Sequence, residues 1–172
     1  LDLEGKLKNL SFHTWLKIGN PELPNSVIFG SREWNNSGDF LIEFTRSKRK
    51  PFLSFWGQND MVFTVDNKIS LDFDWNFIAL TIESIGNSLK CKLYVNNQLL
   101  SEQQTKNLNF IKPDRLILGN MRGGWGRGKS YQRPLNAIMD EFVIWNRVLS
   151  GKEVENIYTE GKPFEHYLSS LK

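Results

Sequence analysis

Apolar and polar positions alternate with period two along most of this chain, in short runs cut by Gly, Asn, Asp and Pro. That pattern belongs to strands with one face turned inward and the other outward. In residues 10–18, Phe12, Thr14, Leu16 and Ile18 fall on one side, and Ser11, His13, Trp15 and Lys17 on the other. This phase puts His13 at an outward, surface-facing position. Further strands are predicted over 26–30, 40–45, 52–56 and 61–65. Residues 75–82 are almost continuously apolar, which predicts a strand buried on both faces. Gly86 and Asn87 separate it from the alternating run 89–95, so the two make a hairpin. Asn96-Asn97 supplies a second tight turn, because Asn tolerates positive φ, and 98–102 returns from it. Strands over 115–119 and 137–145 complete a set of about ten. Helix signals occur in one place. Ser150 and Glu153 form a capping box, Val154, Ile157 and Tyr158 follow at one-face spacing, and Gly161 and Pro163 end the run. The prediction is an all-β, antiparallel two-sheet sandwich with one short C-terminal helix. Residues 1–163 form the domain and 164–172 a tail or linker.

Composition changes this picture at a few points. The 172 residues suffice for one two-sheet core. Six Trp and twelve Phe exceed what an ordinary core needs, so some of these rings are available as stacking platforms for a ligand. Twenty-two basic residues nearly balance 19 acidic ones, giving a net charge of only +3. The basic runs Arg46, Lys48, Arg49, Lys50 and Arg122, Arg127, Lys129, Arg133 read first as solvated hairpin tips, able to meet phosphate, sulfate or carboxylate groups. No nucleic-acid motif accompanies them, so nucleic acid is not an expected partner. The single cysteine, Cys91, excludes an internal disulfide and sits on the apolar side of its strand as a buried structural thiol. No stretch approaches the roughly 18 apolar residues of a membrane helix, so membrane insertion is not expected. The opening Leu1-Asp2-Leu3-Glu4 is acidic and unlike a signal peptide, and reads as the cut end of an excised domain or processed protein.

Four phrases together resemble the laminin G-like, concanavalin A-like lectin and glucanase superfamily. Leu10-Ser11-Phe12-His13-Thr14-Trp15-Leu16-Lys17 is similar to that family's opening tryptophan-bearing strand. Asp74-Trp75-Asn76-Phe77-Ile78-Ala79-Leu80-Thr81 resembles the strand that begins on a tryptophan. Lys92-Leu93-Tyr94-Val95-Asn96-Asn97-Gln98-Leu99 resembles the hairpin that follows it. Met139-Asp140-Glu141-Phe142-Val143-Ile144-Trp145-Asn146-Arg147-Val148-Leu149-Ser150, then Glu153 and Tyr158, resembles the family's last strand and helix start. The resemblance runs from about Leu10 to Tyr158 and implies a concanavalin A-like jelly roll. Two departures stand out. Ala137 replaces the glycine usual before the last strand, which suggests a small residue without positive φ. The family's first strand is barely present: either the chain starts late, or residues 1–8 supply a shortened version.

The fold hosts lectins, adhesins and enzymes, so the chemistry must come from particular residues. Glycosidases of this fold need two carboxylates projecting from one strand face, and no such run occurs. Asp72 and Asp74 share a face but precede Trp75 in a polar loop. Asp140 and Glu141 are adjacent, so a regular strand would point them to opposite faces. The two histidines, His13 and His166, fit no nucleophilic or metal-hydrolase arrangement. Catalysis is therefore not expected.

Residues 120–133 carry the first binding candidates, Trp125, Arg122, Arg127 and Tyr131, in a glycine-rich stretch. Indole and phenol rings stack on the apolar face of a pyranose, and guanidinium groups clamp a carboxylate or sulfate with paired hydrogen bonds. Trp34, with Arg32, Asn35 and Asn36, and Trp56, with Gln58, Asn59 and Asp60, are further candidates. Trp15, Trp75 and Trp145 occupy strand positions and are expected to pack in the core or on a sheet face. The sequons at Asn9 and Asn35 carry little weight in an Asn-rich chain. The resemblance also implies a structural Ca²⁺ at Asp140, the aspartate of the last strand, with a hydrogen-bonded, metal-free role as the alternative. The expected function is a carbohydrate-binding or adhesion module of a secreted or cell-surface protein, binding a glycan or glycoconjugate. A protein-binding laminin G-like domain, or a hydrolase or lyase (or its accessory domain), are the alternatives.

Overall fold

The computed structural model describes residues 5–19, 26–31, 36–44, 51–55, 71, 74–113, 115–120, 134–161 and 163, with Ser26 and 51–55 described in backbone only. Among the described residues, nine strands and one helix follow in chain order: β1 (Asn9–Ile18), β2 (Ser26–Ser31), β3 (Phe40–Phe44), β4 (Pro51–Phe55), β5 (Trp75–Ile85), β6 (Ser88–Val95), β7 (Gln98–Gln104), β8 (Leu116–Leu118), β9 (Ala137–Trp145) and α1 (Gly151–Glu160). They form a five-stranded sheet, β7-β6-β5-β1-β9, facing a four-stranded sheet, β4-β3-β2-β8. Every pairing between these strands is antiparallel. The all-β sandwich is therefore as expected. The strand predicted over 61–65 lies outside the described residues, as does the 164–172 tail.

The alternation in β1 generates two apolar layers. Leu10, Phe12, Leu16 and Ile18 meet Ile78, Leu80 and Ile82 of β5, Leu89, Cys91, Leu93 and Val95 of β6, and Phe29, Phe40 and Ile42 of the facing sheet. Phe12, Phe29 and Phe142 interlock, with ring centroids 5.1–6.0 Å apart. Burying each such side chain contributes about 1.5–3 kcal/mol. The opposite phase of the same strands builds an outer layer of Trp15, Phe77, Ala79 and Tyr94, covered by Leu149 and by Val154, Ile157 and Tyr158 of α1. That second layer is why β5 reads as apolar on both faces.

Local chemistry fixes the connections. Asn96 and Asn97 both take positive φ, 47° and 65°, in the β6–β7 turn. Asn96 also exchanges hydrogen bonds with Phe77: Asn96 N–H donates to the Phe77 carbonyl at 2.9 Å, and Phe77 N–H to Asn96 Oδ1 at 2.8 Å. α1 begins with the predicted capping box, Ser150 Oγ accepting from Glu153 N–H while Glu153 Oε2 accepts from Ser150 N–H at 2.8 Å. It ends at Gly161 in extended conformation, where a Cβ would lie 2.8 Å from the Ile157 carbonyl oxygen. Gly161 is thus required by close approach, not by a left-handed cap.

The last strand departs from regular alternation. His13 pairs with Val143, but Trp15 pairs with Asp140, so β9 holds one extra residue against β1. Glu141 absorbs it with φ of 51°. The inner-layer residues of β9 are accordingly Ala137, Met139, Phe142 and Ile144. The strict opposition expected of Asp140 and Glu141 on a regular strand is replaced by this bulge. Ala137 is not among the positive-φ residues, as its replacement of glycine implied.

Candidate functional site

The strand directions sort the candidate loops to two ends of the sandwich. At one end β1 and β8 finish and β9 begins, and three hydrogen bonds tie these points together. Leu135 N–H donates to the Gly119 carbonyl at 2.6 Å, Gly119 N–H to the Ile28 carbonyl at 3.1 Å, and Gly19 N–H to the Asn136 carbonyl at 2.8 Å. Gly119 has φ of 73°, which only glycine adopts freely. The chain therefore leaves at Gly119 and returns at Leu135 to the same point, beside the end of β1. The same end carries the finish of β3 at Phe44 and the start of β4 at Pro51, paired with each other. Trp125, Arg122, Arg127 and Tyr131 belong to the segment between these stems and lie outside the described residues, as do Arg46, Lys48, Arg49 and Lys50.

Trp34 and Trp56 follow the ends of β2 and β4, at the opposite end of the four-stranded sheet, and also lie outside the described residues. The stems around Trp34 are firmly built. Phe40 N–H donates to Ser31 Oγ at 3.2 Å, Asn36 N–H to Asp39 Oδ2 at 2.7 Å, and Lys112 N–H to the Gly38 carbonyl at 2.9 Å. The stems that bound the Trp125 segment and those that bound the Trp34 and Trp56 segments are thus anchored at different ends of the sandwich.

Asp140 is half-buried beside the bulge. Its Oδ1 accepts from Glu141 N–H at 2.9 Å and its carbonyl accepts from Thr14 Oγ1 at 2.9 Å. These bonds stabilise the bulge in the manner of a local cap. Among the described residues no group of three or more His, Cys, Asp or Glu converges to hold a metal. A calcium shell at Asp140 would thus draw on loop carbonyls and on side chains outside the described set. Asp74 sits where the sequence put it, ahead of β5, its Oδ1 accepting from Trp75 N–H at 2.8 Å and its carbonyl from Asn76 Nδ2.

The outer layer holds what the sequence reading missed. His13 is not surface-facing: it is 3% exposed, between β5 and β9 on the face that α1 covers. The period-two pattern assigns it correctly to the face opposite Phe12, but that face is roofed. Its ring stands 5.7 Å from Phe77 and 6.2 Å from Trp145, and Trp145 Nε1–H donates to His13 Nδ1 at 3.2 Å. Burial pushes the imidazole below its ordinary pKa. Trp15 stacks on Tyr158 at 5.5 Å, the Lys17 ammonium lies 5.9 Å from the Trp75 ring, and the Arg147 guanidinium lies 5.3 Å from that of Trp145. All three strand tryptophans therefore pack on the sheet face, as expected. The available signal for this layer was the single apolar face of α1, which must bury against something. Cys91 is fully buried in the inner layer, and burial raises its thiol well above the ordinary range, which makes it inert at neutral pH.

Comparison with known proteins bears on this geometry. A family model described as the concanavalin A-like lectin/glucanases superfamily matches residues 2–155. A search of curated proteins found no match. Among solved structures, the chain is similar to domain 4 of AbnA, a GH43 extracellular arabinanase from Geobacillus stearothermophilus, in complex with arabinotriose. That match has TM-score 0.64 and 16% identity, and covers 91% of this chain and 68% of that one. It is also similar to botulinum neurotoxin type C, whose cell entry depends on interaction with two ganglioside molecules, with TM-score 0.53, 19% identity, and coverage of 89% and 36%. A third is the binding domain of botulinum neurotoxin DC in complex with rat synaptotagmin II, with TM-score 0.55, 16% identity, and coverage of 89% and 36%. At these identities the likeness is one of fold. The chain spans about a third of each neurotoxin structure.

Proposed function

Since the chain belongs to the concanavalin A-like lectin/glucanase superfamily, we propose that it is a non-catalytic carbohydrate-binding or adhesion module of a larger secreted or cell-surface protein. The observation that carries the reading is the closed stem at Gly119 and Leu135. It anchors both ends of a segment containing Trp125, Tyr131, Arg122 and Arg127 to rigid strands. A ligand site gains affinity when its supports are ordered before binding. Rings there would stack on a sugar face while the guanidinium groups hold an acidic substituent. The arabinotriose complex and the ganglioside-dependent toxin support carbohydrate as the ligand class.

The test is a glycan array, run with and without Ca²⁺, on the native chain and Trp125→Ala. Loss of at least tenfold in affinity on substitution, about 1.4 kcal/mol, is the expected result. Binding unaffected by Trp125→Ala would move the site to the Trp34 and Trp56 end. Dependence on Ca²⁺ that Asp140→Asn removes would support the calcium reading of Asp140.

A second reading, a protein-interaction module, is supported by half-exposed apolar side chains on edge strands. Leu118 of β8 and Ile138 of β9 are 49% and 55% exposed. The complex of a neurotoxin binding domain with synaptotagmin II, about a third of which this chain resembles, supports a polypeptide as the alternative ligand class. An array without hits in either condition would make this the leading reading.

A further inference from the structure

We infer that His13 and Trp145 form an acid-released latch that holds α1 against the five-stranded sheet. An indole N–H can only donate, so the 3.2 Å contact requires a lone pair on His13 Nδ1 and puts the imidazole proton on Nε2. Protonation places a second N–H on Nδ1, pointing at the first. The pair then becomes donor against donor, with a charge in an aromatic layer that excludes water.

The consequence reaches α1 because the connection from β9 to the helix is short and is fastened at the same place. Leu149 N–H donates to Ser11 Oγ at 2.9 Å, two residues from His13 in β1. Arg147 lies over the Trp145 ring and bonds Glu153 of α1 at 2.7 Å. A displaced Trp145 therefore disturbs the helix cap and the seat of α1 together. Release would expose Trp15, Phe77 and Tyr94, now covered by Leu149, Val154, Ile157 and Tyr158.

The surroundings leave the imidazole as the group that titrates in this layer near neutrality. Phe77 and Ala79 face it from β5, and Val143 and Trp145 from β9. The titratable or charged groups on this face of the packed elements include Tyr94 of β6, Tyr158 of α1, Lys17 of β1 over the Trp75 ring and Arg147 beyond the indole. On the same face Lys92 is paired with Glu102 at 3.5 Å, and Asp140, opposite Trp15, accepts from Glu141 N–H. Glu153 has its carboxyl held down to about 2, so the helix cap does not titrate in the same range.

Burial lowers the folded pKa of His13 from 6.5, so the closed state binds fewer protons than the open one. The latch is at full strength above about pH 6.5 and weakens as pH falls below it. At pH 5 opening is favoured up to about 30-fold over its value at neutral pH.

Amide hydrogen exchange on the full chain tests this. Protection factors for 151–160, relative to those of the inner part of β5, should fall by more than about threefold between pH 7.5 and 5.0, with about 30-fold as the ceiling. His13→Gln, which keeps an acceptor for the indole but cannot charge, should hold the ratio within about threefold. An undiminished fall in His13→Gln, or no fall in the native chain, overturns the latch. Should His13→Gln not fold, Trp145→Phe serves instead: the chain has two histidines, and the imidazole C2–H signal of His13 should titrate closer to 6.5 once the indole donor is gone. A His13 titration unmoved by Trp145→Phe overturns the proposal equally.

Discussion

The two faces of β1 carry apolar layers of different chemical kinds. Among the described residues the inner layer joins the sheets through Phe12, Phe29, Phe40 and aliphatic side chains, with the inert Cys91 thiol as its titratable member. The outer layer, beneath α1, adds to Phe77, Ala79, Leu149 and Val154 the residues Trp15, Tyr94, Trp145, Tyr158 and His13, each with an apolar body and a polar atom. Dispersion and area burial alone set the strength of the first. The second adds hydrogen bonds and a titratable ring, so its strength depends on pH as well as on packing. One strand thus supplies a fixed core on one side and a condition-dependent roof on the other.

Truncating the inner layer should produce the largest effect. Phe12 is fully buried against Phe29 and Phe142, so Phe12→Ala should lower the unfolding free energy by about 3–5 kcal/mol through lost transfer and an unfilled cavity. Urea unfolding followed at pH 7.5 and pH 5.5 should give the same loss at both. A loss that changes markedly between the two would mean that the layers are not chemically separable.

This division was partly legible in the sequence. The alternation in residues 10–18 separates the two faces of β1, and the unbroken apolar run of β5 states that both faces of that strand are buried. Asn96-Asn97 and the Ser150–Glu153 box announce their turn and their helix start, because each motif satisfies its own backbone locally. Period two assigns His13 to a face, but whether that face meets water depends on where α1 docks, a long-range event. The bulge was hidden for a similar reason: the inner series 137, 139, 142, 144 slips by one, and only pairing with β1 reveals where. For the binding candidates, Trp125 and its neighbours, residue type and the glycine-rich setting are legible, whereas the closed stem at Gly119 and Leu135 emerges only from strand pairing. The glycine-rich run 123–128 has no side-chain periodicity from which a ring's orientation could be read.

A smaller effect should come from the roof's own fastening. Ser150→Ala removes the acceptor for Glu153 N–H and should cost about 1 kcal/mol. The partner carboxylate gives the pH signature. Hydrogen bonds from Arg147, then from Ser150, lower the Glu153 pKa from 4.5 to about 2. Its contribution is complete above about pH 4.5 and is lost as pH falls towards 2, a window below that of His13. Exchange protection of α1 should therefore decline in two stages on acidification, and Glu153→Gln should remove the lower stage alone. A single stage abolished by Glu153→Gln would transfer the acid response from the imidazole to the cap.

The smallest expected change lies where the two layers fall out of step. Between Met139 and Phe142 the inner series skips a residue, and Glu141 takes the excess in a left-handed conformation, φ 51°, with its side chain exposed. A non-glycine residue held there stores roughly 1 kcal/mol of strain, partly offset by the hydrogen bond from its N–H to Asp140 Oδ1. Glycine adopts that conformation freely and keeps the N–H. Glu141→Gly should therefore raise the unfolding free energy by up to about 1 kcal/mol, less the extra entropy glycine gives the unfolded chain. Asp140→Ala, which removes the acceptor and keeps the strain, should lower it by about 1 kcal/mol. Opposite signs at adjacent positions would mean that the bulge is strained at Glu141 and braced by Asp140. Destabilisation by both would mean that the Glu141 side chain itself supports the strand, and that the mismatch between the layers is accommodated without strain.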